Sequence, residues 1–127
     1  RNFAQRFSVK RVMHELGIVI QIIKQLDAYV VEHNIDEVEA IVLEIGALSG
    51  VYPKYIEDVY PIAVENTRFK DTRLEIQVAL GIGRCECCSF VYDLIANKSI
   101  CPRCDKEQFS VISGRDFLIK QLIVREN

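Results

Sequence analysis

From Glu15 to His33 apolar residues recur at intervals of three and four: Leu16, Val19, Ile23, Leu26 and Val30, with Ile22 and Tyr29 widening the stripe. That period predicts a long amphipathic helix, opened by Met13-His14-Glu15 and ending near His33-Asn34. From Val38 to Leu48 the pattern becomes that of a strand, with Ile41, Leu43 and Ile45 on one face and Ala40, Val42 and Glu44 on the other. Gly46 and Ser49-Gly50 mark its end. Residues Pro53 to Asn66 read as a second helix with Pro53 in its first turn and Ile56, Val59, Ala63 and Val64 inward. Pro61 is expected to kink or break it. Leu74, Ile76, Val78 and Leu80 alternate with Glu75, Gln77 and Ala79, a half-buried strand, and Phe117 to Val124 reads as a last one.

All five cysteines, Cys85, Cys87, Cys88, Cys101 and Cys104, fall within twenty residues, too local for a disulfide framework. Cys85-x2-Cys88 and Cys101-x2-Cys104 each allow a tight turn that aims two sulfurs at one point. Two such turns supply a sulfur tetrahedron, which suits a structural zinc ion. Iron remains an alternative occupant of the same four sulfurs. Pro102 fixes φ inside the second turn. Cys87 falls outside the paired spacing and reads as a free thiol or an outer neighbour of the metal. Four thiolates leave no open position for a reacting water, so no catalysis is expected there.

The expected fold class is therefore α+β: a small three-stranded sheet packed by two helices, with an inserted four-cysteine zinc-ribbon lobe. The Val38–Leu80 strand, helix and strand can close as a right-handed crossover. Residues 13–83 with 115–127 form the α/β lobe and residues 84–114 the cysteine lobe. Residues 1–12 are expected to be a leader, either a cloning remnant or an upstream extension.

Half of the 127 residues are hydrophobic and 27% are charged, an ordinary globular balance. Arg1, Arg6, Lys10 and Arg11 make the leader basic; without it the net charge of −2 becomes −6. An acidic body argues against a phosphate-backbone binder. The apolar run Leu16–Ile23 is too short to span a bilayer, and no apolar signal segment opens the chain, so the expectation is a cytoplasmic protein without membrane or nucleic-acid partners. His14 and His33 are the only histidines. Alone, each is more commonly solvated or capping than a ligand, and His33 suits a helix C-terminus.

Met13-His14-Glu15-Leu16, Ile45-Gly46-Ala47-Leu48-Ser49-Gly50-Val51, the paired cysteine motifs with Cys101-Pro-Arg-Cys104, and Gly114-Arg115-Asp116-Phe117 together are a specific set. The set resembles the HypA/HybF family of nickel metallochaperones for hydrogenase maturation, over residues 13–127. The resemblance implies a structural zinc lobe held by Cys85, Cys88, Cys101 and Cys104 beside a nickel-binding α/β lobe. It implies transient Ni(II) at Met13, His14 and Glu15, through the Met13 amine, the His14 imidazole and amide, and the Glu15 amide. Square-planar nitrogen coordination is a geometry Ni(II) accepts and zinc does not favour. With residues 1–12 attached, the Met13 nitrogen is a peptide nitrogen and the donor set is incomplete. The implied partners are a nickel-handling GTPase of the HypB type and a hydrogenase large subunit precursor, with a homodimer left open.

The rival reading is a zinc-ribbon module for protein or nucleic acid without nickel function, supported only by Arg84, Arg103 and Lys106 near the cysteines. An enzyme is not expected. No second histidine at helical spacing accompanies His14-Glu15, and Gly81-Ile82-Gly83 lacks the rest of a phosphate loop.

Overall fold

The computed structural model describes residues 11–125, with side chains described from His14 onward. Helix α1 spans Arg11–Glu32, strand β1 Val38–Gly46, helix α2 Pro53–Val64 and strand β2 Arg73–Ala79. Three short strands follow, β3 (Ile82–Cys85), β4 (Val91–Asp93) and β5 (Phe109–Ser113), and the chain returns in β6 (Phe117–Val124). Two three-stranded sheets result, ordered β2-β1-β6 and β4-β3-β5. β1 pairs in parallel with β2, as a strand–helix–strand unit allows, and antiparallel with β6. No described helix is long and apolar enough to cross a membrane.

The larger core lies between the helices and one face of the first sheet. Ile18, Val19, Ile22, Ile23, Leu26 and Val30 of α1 meet Ile56, Val59 and Val64 of α2 over Ile41, Leu43 and Ile45. The opposite face is polar at its rim: the Lys120 ammonium donates to the Gln77 side chain at 2.7 Å and lies 3.8 Å from the Glu44 carboxylate. One polar chain ties helix to sheet. The Tyr60 hydroxyl donates to the Thr72 carbonyl at 2.8 Å, and the Thr72 hydroxyl donates to the Val38 carbonyl at 2.8 Å.

Three sequence expectations need correction. α1 begins at Arg11, so Met13-His14-Glu15 lie within its first turns instead of opening it. The expectation of a leader therefore falls on residues 1–10, outside the described residues, and on Arg11 and Val12 inside the helix. Pro61 does not break α2, which runs on to Val64. The hydrogen bond that proline cannot make would go to the Glu57 carbonyl, and both residues are exposed, where water can replace it. α2 stops two residues short of Asn66 because the Thr67 hydroxyl and amide both donate to the Val64 carbonyl, at 2.8 and 3.0 Å.

Tyr29 is exposed and stacks on His33 with ring centroids 4.0 Å apart, while the His33 Nδ1–H donates to the Tyr29 carbonyl at 2.9 Å. Val78 and Leu80 are exposed as well. β2 is an edge strand of its sheet.

Candidate metal centre

The small sheet carries two turns that repeat one hydrogen-bond pattern. After Cys85-x2-Cys88, the Ser89 N–H donates to the Cys85 carbonyl at 2.9 Å and the Cys85 N–H to the Phe90 carbonyl at 2.8 Å. After Cys101-x2-Cys104, the Asp105 N–H donates to the Cys101 carbonyl at 2.8 Å and the Cys101 N–H to the Lys106 carbonyl at 2.9 Å. Ser89 and Asp105 occupy the same place in the two turns, and both take left-handed φ, 66° and 63°. That bend points each pair of sulfurs inward.

The four Sγ atoms of Cys85, Cys88, Cys101 and Cys104 all lie within 4.8 Å of one another. Cys85 Sγ is 3.5 Å from Cys104 Sγ, and Cys88 Sγ is 3.6 Å from Cys101 Sγ. A disulfide would need about 2 Å, and all five cysteines are free. A tetrahedron with Zn–S bonds near 2.3 Å has edges of about 3.8 Å. The sulfur set therefore fits a tetrahedral metal ion. Cys87 stands outside it, exposed, with its thiol toward the Gln108 side-chain oxygen at 3.8 Å.

Backbone dipoles prepare the sulfurs for negative charge. The Cys88 and Cys87 N–H groups point at Cys85 Sγ, at 3.5 and 3.4 Å. The Cys88 N–H, with that of Cys87 and the neighbouring thiols, lowers the Cys85 thiol to about 6 against the cost of burial. Cys104 is pulled down by the Lys106 N–H, but burial and the shared hydrogens of Cys85, Cys88 and Cys101 outweigh this and push it up to about 12. Cys88 is likewise raised, with the Phe90 N–H opposed by burial and Cys101. One thiolate thus forms early in the metal-free cluster, while Cys88 and Cys104 hold their protons.

A second small core surrounds the sulfurs: Tyr92 and Leu94 pack with Cys85 and Cys101, and Leu48, Phe109 and Val111 close it. Leu48 comes from the loop after β1, so the two lobes share it. Gly81 makes room for it, since a Cβ there would meet Leu48 Cγ at 2.6 Å. The joint is also hydrogen-bonded. Gly46 N–H donates to the Asp116 carbonyl at 2.7 Å, Ala47 N–H to Ala79 at 2.8 Å, and Leu48 N–H to Gly114 at 2.7 Å. Gly81, and Gly83 where a Cβ would meet Leu94 Cδ2 at 2.8 Å, are therefore packing positions. Neither the Leu48 bridge nor Tyr92 was visible as a site feature in the sequence, because their partners are distant along the chain.

Met13, His14 and Glu15 lie on α1. His14 is exposed and Glu15 is fully buried, so the two side chains do not face the same space. Only the short segment 33–37 separates α1 from β1, so the two run antiparallel. His14 consequently belongs to the end of the larger sheet at which β1 ends and β2 leads into the metal lobe.

A family profile described as hydrogenase/urease nickel incorporation, metallochaperone, hypA matches residues 13–124. A hydrogenase maturation factor HypA of Trichodesmium erythraeum is 33% identical over 115 residues, covering 90% of this chain and 97% of that protein. Another, of Chlorobium limicola, is 27% identical over 114 residues, covering 90% and 98%. The solution structure of the Ni metallochaperone HypA from Helicobacter pylori superposes with a TM-score of 0.60 at 19% identity, over 87% of this chain and 96% of that one. A second solution structure of a HypA protein gives 0.65 at 21% identity, over 89% and 97%. These structural likenesses show a shared fold.

Proposed function

Starting from the fact that this chain belongs to the HypA family of hydrogenase/urease nickel-incorporation metallochaperones, we propose that it carries Ni(II) to a nickel–iron hydrogenase during that enzyme's maturation. Nickel is its cargo, and Cys85, Cys88, Cys101 and Cys104 hold a structural zinc ion. The observation that carries the reading is the exposed imidazole of His14, in the Met13-His14-Glu15 sequence at which the family match begins.

The zinc would be a folding element. The cysteine lobe has four buried residues in its core cluster, two of them cysteines, and metal–sulfur bonds would replace the apolar burial it lacks. The same four bonds fill the coordination shell, which suits a maturation factor better than an enzyme. Nickel at His14 would instead be held in the open, where it can be passed on.

The expected nitrogen set is the Met13 amine, the His14 imidazole and amide, and the Glu15 amide. An amide nitrogen that binds nickel has lost its proton and donates no helical hydrogen bond. Loading through those nitrogens therefore requires α1 to begin at Met13 or later and not at Arg11, since the first four N–H groups of a helix donate no helical hydrogen bond. The partners would be a GTPase of the HypB type and a hydrogenase large subunit precursor, in the cytoplasm.

Calorimetric titration with Ni(II) tests the donor set. A chain starting at Met13 is expected to bind about tenfold or more tighter than the 127-residue chain, since it alone offers the amine. Equal affinities would remove the amine from the site. In cells starved of nickel, His14→Ala is expected to abolish hydrogenase activity that added nickel restores. Unchanged activity would sink the delivery role and leave the sulfur centre standing.

A further inference from the structure

Strand β6 ends the larger sheet. It pairs with β1 on one side, and no described strand lies on the other. An open edge is a template for another strand, and folded proteins commonly guard one with charge or proline. β2, at the opposite edge, carries Arg73 and Glu75. β6 is eight residues long, with Lys120 as its one charge and no proline. A groove of about 440 Å³ runs between it and α1, lined in part by Leu26, Tyr29, Ile119 and Leu122.

A bulge in β6 decides what fits there. The register with β1 slips at Lys120, so that Ile119 lies opposite Leu43 and Leu122 opposite Ile41. The two are three residues apart, yet both pack against the main core. In a regular strand they would face opposite sides. Leu118 and Ile123, opposite Glu44 and Ala40, share the other face. The strand therefore presents the same sequence of faces from either end, about the Lys120–Gln121 peptide.

We infer that β6 pairs antiparallel with β6 of a second copy of this chain, about a two-fold axis between Lys120 and Gln121, joining two sheets into one of six strands. In that register Ile119 meets Leu122 of the second copy on the helix side, Leu118 meets Ile123 on the other face, and Lys120 meets Gln121. Just beyond the strand, the exposed Asp116 comes level with the exposed Arg125 of the second copy, a pair of opposite charges. Every neighbouring register opposes a core-facing residue with an outward one. This match of the strand to itself commits the edge to a second copy, since a strand of another protein would not require it. The cysteine lobes, which precede β6, go to opposite ends of the joined sheet. Such a seam is at the small end of specific interfaces, below about 1,200 Å². One and two copies are therefore expected to exchange at concentrations on the order of 10 μM.

Sedimentation equilibrium of the 127-residue chain, from about 1 to about 300 μM and under a thiol reductant that excludes disulfide-linked pairs, tests this. Leu118→Lys, at an exposed position, is expected to weaken association roughly two- to thirtyfold, because each cross-strand pair occurs twice across the axis. Asp116→Arg sets like charges together and is expected to weaken it roughly two- to tenfold, and adding Arg125→Asp to bring it back. Circular dichroism of the diluted variants shows whether each keeps its fold, and should Leu118→Lys lose it, the charge swap decides. A chain that stays monomeric throughout, or a dimer that neither substitution weakens, would overturn the pairing. A double variant no tighter than Asp116→Arg alone would overturn the register.

Discussion

Gly46 lies so close to the Gly114 carbonyl that no Cβ could be placed between them. The contact closes the joint where β1 passes the strand returning from the metal lobe. The Asp116 carbonyl would stand 2.9 Å from the same Cβ. Gly114 adds a second constraint, with φ at +97° and a Cβ position 2.6 Å from the Leu80 carbonyl.

Gly46→Ala should therefore destabilise the chain by about 2–4 kcal/mol, as backbone overpacking does. Gly17, inside α1, has nothing within 4 Å of its Cβ position. Gly17→Ala should stabilise by about 0.5–1 kcal/mol through helix propensity alone. Urea unfolding of both variants checks the contrast; equal effects would mean that the joint yields freely.

The left-handed turn residues give a second test. Ser89 at φ 66° holds a conformation that glycine adopts without cost. Ser89→Gly should raise stability by about 0.5–1 kcal/mol, the relief being partly offset by a more flexible unfolded chain. Asp105→Gly should gain less, because aspartate tolerates this region better. Thermal melts of the metal-loaded protein would show the order.

Metal affinity should depend steeply on pH. At neutral pH Cys85, lowered to about 6, is already largely ionised, while Cys88 and Cys104 are raised and keep their protons. Binding must displace those protons, so affinity falls as pH falls, by about tenfold per pH unit for each proton displaced. Below about 6 the Cys85 thiol adds its own proton to the competition. Calorimetry in buffers of different ionisation enthalpy would count the protons released; a count of zero would contradict the shared-proton description.

Tyr60 links α2 to the sheet through its bond to the Thr72 carbonyl. Burial raises its phenol from 10.0 to about 12. The fold favours the neutral form, so this contribution is complete below pH 10 and is lost as pH rises through about 12. Tyr60→Phe should cost about 1 kcal/mol at neutral pH and flatten the alkaline part of the stability profile. Denaturation followed from about pH 8 to about pH 12 would reveal both effects.

Much of the fold was legible in order. The helical stripe Val19, Ile23, Leu26 and Val30, the Ile41, Leu43 and Ile45 face and the Cys85-x2-Cys88 spacing are local patterns, and each element obeys the period of its own residues. The misreadings share a cause. Tyr29 and Val78 fit their periodic faces yet remain exposed. Pro61 carries a local prohibition, yet on this exposed stretch of α2 the helix runs through it.

The amino-acid order by itself determined which segments become helix or strand, and that four sulfurs can meet, because these outcomes depend on neighbours within a few residues. Only the tertiary structure decided that Leu48 seals the metal lobe, that Gly46 must be bare beside Gly114, and that Tyr92 is enclosed with the sulfurs. Such contacts join residues whose separation along the chain says nothing about their separation in space, and packing alone assigns their roles.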